Sequence, residues 1–301
     1  MAGYRVARLP LLALGIMAGI ETAPAQTAVA DLLEQKTLER IRAVDARNEG
    51  VIGVAAIDLV SGRRISYHAD AVFPQASSIK IPILVEMFKA ARAGQFNFDD
   101  VVTLRTEELV GGSGHLQEKL RLGALKLTVR ELATAMIETS DNTATNKCIR
   151  MVGMERVNRT LDEMGFLNTR LRRVMMDSAA ARRDEENVST PHEMARLVER
   201  IYRGKAVDAA ASQEMLAIMK LVKGDFRRAI PAAIEIASKT GSIPGVKCET
   251  GVVYLPGHPF VLSVMSTFQS GEEAPVAELA GIVFRHFEKT ARSNQYGHRI
   301  E

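Results

Sequence analysis

Strand-forming runs lie at the two ends of this chain, and a long helical stretch separates them; no other feature restricts the fold as much. Near the start, "VIGVAAIDLV" (51–60) and "RRISYHA" (63–69) are apolar runs joined at Ser61-Gly62 and read as a hairpin. Strands return as "IEIASKTGS" (234–242), "CETGVVYLP" (248–256) and "PFVLSVMST" (259–267). Between them, helical spacing runs from about residue 77 to 222, through "KLTVRELATAMIE", "TATNKCIRMV", "GMERVNRTLDEMG" and "TPHEMARLVERIYRG". The last of these offers Thr190 as N-cap and Pro191 at the first helical position. Flanking helices are expected from "TAVADLLEQKTLERIRAVDAR" (27–47) and "PVAELAGIVFRHFEKTA" (275–291), and a polar, frayed tail over 291–301. If the terminal strands share one sheet, residues 26–76 and 223–290 form an α/β part. Residues 77–222 are then an inserted helical subdomain, with a ligand cleft at the junction.

The first 25 residues read as an export signal. Arg5 and Arg8 precede a short apolar stretch, "LPLLALGIMAGI", and Ala23-Pro24-Ala25 supplies small residues for cleavage. That stretch has 12 residues, whereas a membrane span needs about 20. No stable membrane span is expected, and the mature protein is assigned to the periplasm or the secreted fraction. Cleavage after Ala25 leaves 276 of the 301 residues and lowers the formal net charge from +3 to +2, because two arginines and Glu21 depart. Charges of both signs are interspersed and form no basic block, so no nucleic-acid partner is expected. Cys148 and Cys248 sit in apolar contexts and read as two unpaired buried thiols. The six histidines show no H-x-x-H or H-E-x-x-H spacing, so neither a metal nor another cofactor is expected.

Three short motifs occur in order: Ser77-x-x-Lys80 opening an apolar helix, Ser140-Asp141-Asn142 between two helical segments, and Lys239-Thr240-Gly241 ending an apolar strand run. By chance the first turns up about once in a chain of this length, the other two each roughly once in 15 to 25 such chains. Taken singly, Ser77 reads as a helix cap, Lys239 as a strand-end charge and the Ser-Asp-Asn tripeptide as a turn. Taken together they supply a nucleophile and its base. Residues i and i+3 of a helix share a face, so Lys80 sits beside the Ser77 hydroxyl. Burial and a second cation, Lys239, lower the pKa of Lys80 so that it can take the serine proton. Ser140 relays a proton to a leaving nitrogen, and Asn142 offers its amide to a substrate carbonyl. The backbone N–H groups of the Ser77 turn and of Ser242 suit an oxyanion. Pro82, two residues after Lys80, is tolerated only near a helix start and fixes the Ser77 end as that start.

With these motifs, and with "ETSDNTATN", "GMERVNRTLDEMGFLNTRL", "TPHEMARL" and "KTGS" following at matching intervals, the chain resembles the serine β-lactamase and penicillin-binding protein superfamily, class A most of all. The resemblance implies an α/β fold with an antiparallel sheet flanked by helices and an inserted all-helical subdomain. It also implies acylation of Ser77 by a small molecule, a β-lactam or a D-alanyl peptide, in a monomer. Thr240, Gly241 and Ser242 are the implied substrate-binding residues. The alternatives are a D-alanyl-D-alanine peptidase, an esterase or amidase of the same fold, and a receptor that stays acylated.

The chain departs from the family in the loop "RLRRVMMDSAAARRDEENVSTP" (170–191). The family's water-activating glutamate would fall at or near Val174, and its E-x-x-L-N pattern is absent. Asp177 is the nearest carboxylate, either a substitute base or a residue bonding the loop's own backbone. Glu185 and Glu186 read as solvated charges. Arg172 would face Asn187, where the family has an arginine–aspartate pair, and Thr250 takes the place of a carboxylate-binding arginine. "GGSGH" (111–115) approximates a nucleophile elbow but has His115 for the last glycine and no strand leading in, so it reads as a flexible loop near the cleft.

Overall fold

The computed structural model describes Met1, Gly3, residues 28–271 and residues 274–300. The expected export signal, residues 1–25, therefore lies almost wholly outside the described residues. In chain order the elements are α1 (Val29–Asp45), β1 (Val51–Asp58), β2 (Arg64–Tyr67), β3 (Phe73–Pro74), α2 (Lys80–Arg92), β4 (Val101–Leu104), α3 (Leu116–Leu120), β5 (Leu125–Thr128), α4 (Val129–Glu138), α5 (Asn142–Val152) and α6 (Met154–Glu163). These are followed by α7 (Ser178–Ala181), β6 (Val188–Ser189), α8 (Pro191–Tyr202), α9 (Ala209–Met219), β7 (Ile236–Ile243), β8 (Val246–Val253), β9 (Phe260–Thr267) and α10 (Val276–Ala291).

The strands from the two ends of the chain do share one sheet. Its order is β2-β1-β9-β8-β7, and every neighbouring pair is antiparallel. Both faces are covered, so β1 and β9 read as near-continuous apolar runs and are buried almost end to end. Period-2 alternation still divides them. Ile52, Val54 and Ala56 face a core shared with Ile41 of α1 and Val283 of α10, while Ala55 and Ile57 face the larger core on the other side. Gly53 allows the close approach on that second face: a Cβ there would come within 2.7 Å of the Phe73 ring and 2.8 Å of Pro191. Thr190 accepts the Glu193 N–H, and Pro191 opens α8 with no N–H to satisfy.

α2 is buried on nearly all sides, as an apolar helix of its composition must be, and packs against α4, α5, α6 and α9. The middle of the chain is not purely helical. "VVTL" and "LKLT" pair as the ladder β4–β5, and β3 pairs with β6. Four- and two-residue strands give too short an alternation to stand out among long helices. The tail is exposed as expected, yet Ser293 and Arg299 bridge across a turn that brings the Ile300 N–H onto the Arg292 carbonyl. Cys148 and Cys248 are buried free thiols, as expected. No helix among the described residues is long and apolar enough to cross a membrane.

Candidate active site

Ser77 lies in a 3₁₀ turn, Ala76–Ile79, that runs straight into α2. Ser77 and Lys80 stand one turn apart across this junction, and the Lys80 amine is bonded to Ser140 and Asn142 rather than to Ser77. Pro82 stands in the first turn of α2, where a missing N–H costs the helix nothing. Ala76 before it is held at φ 43°, a left-handed conformation that L-residues rarely adopt.

Ser140 lies between α4 and α5, also left-handed, at φ 57°. Two bonds from the Asp141 carboxylate hold it there: one oxygen caps α5 through the Ala144 N–H at 2.9 Å, and the other accepts the Leu116 N–H at 2.9 Å. Asn142 ties the same loop down, its amide donating to the Gly111 carbonyl and its N–H to that of Ser113, both at 3.0 Å. The "GGSGH" segment is thus pinned at several points and forms part of the cleft wall.

Lys239 comes from the middle of β7 and is completely buried, as is Lys80. Gly241 lets β7 and the Ser77 turn meet. A Cβ there would stand 2.5 Å from the Gln75 carbonyl, 2.6 Å from Cys248 Sγ and 2.9 Å from the Ser78 nitrogen. Ser78 donates to the Lys239 carbonyl at 3.3 Å, and Cys248 Sγ donates to that of Gln75 at 3.1 Å. Gly241, expected as a substrate contact, is required here for spacing.

The three motifs converge on one hydroxyl. Lys80 Nζ donates to Ser140 Oγ at 3.0 Å, to the Ser140 carbonyl at 2.7 Å and to Asn142 Oδ1 at 3.0 Å. Lys239 Nζ reaches the same Oγ at 3.2 Å and the Thr240 carbonyl at 2.9 Å. Burial, and then the Lys239 charge, hold Lys80 well below the usual lysine range, with Asp141 and Cys148 opposing. Burial pushes Lys239 down to about 8, against the pull of Cys248 and Glu249. A hydroxyl accepts two bonds and donates one, so with both lone pairs of Ser140 facing amines its own proton is left to donate.

That cleft, about 390 Å³, is lined by Ser77, Ser113, Asn142 and Ser242 on one side and by Arg173, Met175, Met176, Asp177 and Glu186 on the other. A larger hollow of 670 Å³ opens beyond the β7–β8 turn. It shares Ser242 but is lined by neither Ser77 nor Asn142, both of which line the smaller cleft, so the smaller cleft is the one joined to the motifs.

The loop on the far wall differs from expectation in its bracing. Asn187 does not meet the Arg172 guanidinium; its Oδ1 accepts the backbone N–H groups of Arg172 at 2.8 Å and Arg173 at 3.1 Å, and its amide donates to the Arg173 carbonyl. The ion pair has moved one residue along on each side, to Arg173–Glu186 at 2.7 Å. Glu186 is therefore no solvated charge, whereas Glu185 is exposed and paired with Arg183. Asn146, which sequence reasoning passed over, clasps Met175 with both ends of its buried amide, at 2.8 and 3.1 Å. Its place four residues beyond Asn142, on the same helix face, was the available signal. Val174 packs half-buried against the core, and Asp177 Oδ1 caps α7 through the Ala180 N–H at 2.9 Å while lining the cleft. Thr250 is buried in the sheet opposite Lys239, bonded to Ser263 at 2.8 Å. No cluster of metal-ligating side chains occurs among the described residues.

Residues 36–287 match the Beta-lactamase enzyme family. Beta-lactamase AST-1 of Nocardia asteroides is 28% identical over 278 residues, 89% of each chain. Beta-lactamase L2 of Stenotrophomonas maltophilia is 30% identical over 209 residues, 69% of this chain and 66% of that one. Among solved structures, a β-lactamase from Sphaerobacter thermophilus shares 27% identity at TM-score 0.76, covering 85% of this chain and 97% of its own. PBP-A shares 27% at TM-score 0.77, covering 89% of this chain and all of that one, and a PBP-A variant at the same identity and score is an acyl-enzyme complex with penicillin G. The chain belongs to the β-lactamase enzyme family, within the superfamily of class A serine β-lactamases and penicillin-binding proteins, and is a class A-like β-lactamase, a serine hydrolase.

Proposed function

We propose that the protein is an exported enzyme that opens the amide bond of β-lactams through an acyl-enzyme on Ser77. The observation that carries this reading is the convergence of two buried amines on Ser140 Oγ, at 3.0 and 3.2 Å, beside the cleft that holds Ser77. Neutral Lys80 takes the Ser77 proton as the serine oxygen attacks the lactam carbonyl. Backbone N–H groups of the Ser77 turn and of the edge strand at Ser242 receive the oxyanion. Ser140 delivers its proton to the departing ring nitrogen and is resupplied from Lys80. Lys239 provides the positive field, Asn142 positions the substrate amide, and Thr240 and Ser242 hold the substrate carboxylate. Each step uses the chain's own groups on a small-molecule substrate, within a single subunit. The Arg-containing leader and Ala23-Pro24-Ala25 support export.

A second reading concerns the fate of the acyl group. Val174 stands where a carboxylate would activate water, and Asp177 spends one oxygen on capping α7. These observations favour slow release, as in a D-alanyl peptidase or a receptor that remains acylated. Mixing the protein with a chromogenic cephalosporin while monitoring colour and intact mass separates the readings. Many turnovers support the β-lactamase, and a single burst with a lasting mass increase supports the slow-release enzyme. No colour and no added mass in the folded protein overturn β-lactam acylation altogether.

A further inference from the structure

On the face of the sheet turned away from the cleft, Glu249 of β8 is completely buried. Among the described residues, no cation pairs with its carboxylate. Oε1 accepts the Ser238 hydroxyl at 2.7 Å, and Oε2 accepts the Phe226 N–H at 2.9 Å. The chain bends closely around it: a Cβ on Gly224 would stand 2.0 Å from Oε1. The turn Asp225–Arg228 brings the charged groups nearest to it, and these are engaged elsewhere. Asp225 pairs with Lys247 at 3.2 Å and Arg228 at 3.4 Å, while Arg227 donates to the carbonyls of Lys220, Val222 and Ile236. A buried carboxylate without an ion-pair partner is expensive, and a neutral side chain would tie the same turn to the same strand at less cost.

Position supplies a reason to keep the charge. Glu249 stands opposite Thr240 in the β7–β8 register, and its partner Ser238 directly precedes Lys239. Lys239 faces Ser140 on the cleft side, and Glu249 lies one register position from the Lys239–Thr250 pair, directed to the opposite face of the sheet with Ser238 and Phe226. Asp141 acts on Lys80 in the same sense as Glu249 on Lys239 but does not offset burial and the Lys239 charge, so Lys80 stays well below the usual lysine range. Two ammonium groups directed at one hydroxyl repel each other, and the one required as a cation needs a counter-charge that does not block the cleft.

We infer that Glu249 is a positioning residue for acylation, a counter-charge set behind β7 that keeps Lys239 a cation while Lys80 serves as the neutral base. The inference rests on the acylation reading proposed above. Burial raises the Glu249 carboxyl to about 7, so its charge is present on the alkaline side, where Lys239 would otherwise lose its proton.

The test is the pH profile of the second-order rate constant for benzylpenicillin acylation, read by intact mass between about pH 5 and 10. The proteins compared are the unmodified protein, Glu249→Gln, Glu249→Asp and Ser238→Ala, each with a melting curve. A unit charge acting over roughly 10 Å at an effective dielectric of about 20 moves a pKa by about one unit. The alkaline limb should therefore fall by about one pH unit in Glu249→Gln and stay near its place in Glu249→Asp. Ser238→Ala removes a bond that favours the ionised carboxylate, and should move the limb the same way by less. A limb that holds its position while the melting temperature changes would mark Glu249 as a clamp only and overturn the inference. Should Glu249→Gln fail to fold, an unmoved limb in Ser238→Ala overturns it equally. Absence of acylation in the unmodified protein at every pH would overturn the parent reading with it, whereas acylation with unmoved limbs overturns this inference alone.

Discussion

The two walls of the cleft are built to different standards. On one, Ser140 is fixed by a strained backbone, by the two bonds of Asp141 on its flank and by two amines that cannot relax into water. On the other, loop 170–191 is bonded to itself, to Asn146 and Asn158, and through β6 and Asn187 to β3 and Gln75, and it presents methionines, a capping aspartate and a carboxylate already paired with arginine. On the acylation reading proposed above, the first wall is preorganised for proton transfer between Ser77, the two lysines, Ser140 and the departing nitrogen. The second, among the described residues, holds no free, buried base aimed at water. The difference assigns acylation and release, on that reading, to different segments of chain. They can therefore be broken separately.

Ser77→Ala removes the only group proposed to bond the substrate covalently and should have the largest effect. Acylation should fall by about 10³-fold or more with no mass adduct, and the melting temperature should change little because Ser77 is half-exposed. Persisting activity would remove Ser77 as the nucleophile. Lys239→Met keeps bulk but removes the cation beside Ser140, and should lower acylation by about 10²-fold, comparable to the loss of one preorganised electrostatic group. Its stability has a distinct pH signature. The Lys239 amine is depressed to about 8 when folded, against 10.5 unfolded, so the folded protein carries the cost of a buried charge below pH 8. Between pH 8 and 10.5 the unfolded chain holds more protons than the folded one, and the unmodified protein should gain stability relative to Lys239→Met, by up to about 3 kcal/mol. Chemical denaturation of both proteins across that window checks the sign; parallel curves would mean that Lys239 titrates normally.

The first wall is legible in the sequence and the second is not, for a physical reason. Ser77, Lys80, Ser140, Asn142 and Lys239 sit in short motifs whose spacing is dictated by a helix turn, a cap and a strand, so local geometry announces them. The shared sheet is legible as a condition on the strand runs at both ends, because strands covered on both faces read as short continuous apolar runs bounded by turn residues. The loop's bracing depends on contacts between residues 13 to 15 apart with only the single turn of α7 between them, and such contacts leave no periodic trace. Counting along the chain pairs Arg172 with Asn187, whereas the fold bonds Asn187 to backbone and gives the ion pair to Arg173 and Glu186. The spacing role of Gly241 is equally hidden, since a glycine's necessity emerges only once the Gln75 carbonyl is known to lie against it.

Val174→Glu sharpens the comparison by adding to the weak wall what it lacks. Release of the acyl group should quicken by about 10-fold, below the 10²–10⁴ range of an evolved general base, because the loop has not been shaped around the new carboxylate. Acylation should hold steady. Val174 packs against the core, so the substitution should also cost about 1–2 kcal/mol. Pre-steady-state burst and steady-state rates with a chromogenic cephalosporin separate the two steps. A change confined to the burst would place Val174 on the acylation side and undo the division between the walls.

The smallest effect, and the most discriminating, belongs to Arg173→Ala. This side chain is largely buried, with Nε donating to Glu186 Oε1 and Nη2 to Oε2, each at 3.0 Å, so the pair is a two-pronged brace within the cleft wall. Removing it leaves Glu186 half-buried without its cation and should cost roughly 1–3 kcal/mol, less than for a fully buried pair because water reaches the carboxylate. The Asn187 bonds to backbone remain, so the loop should stay attached at its neck while its tip moves more freely. Release should then change a few-fold, and acylation by less than about two-fold, because no group bonded to Ser140 is touched. Equal changes in both steps would show the two walls moving as one body, and the separation drawn from their different bracing would fail.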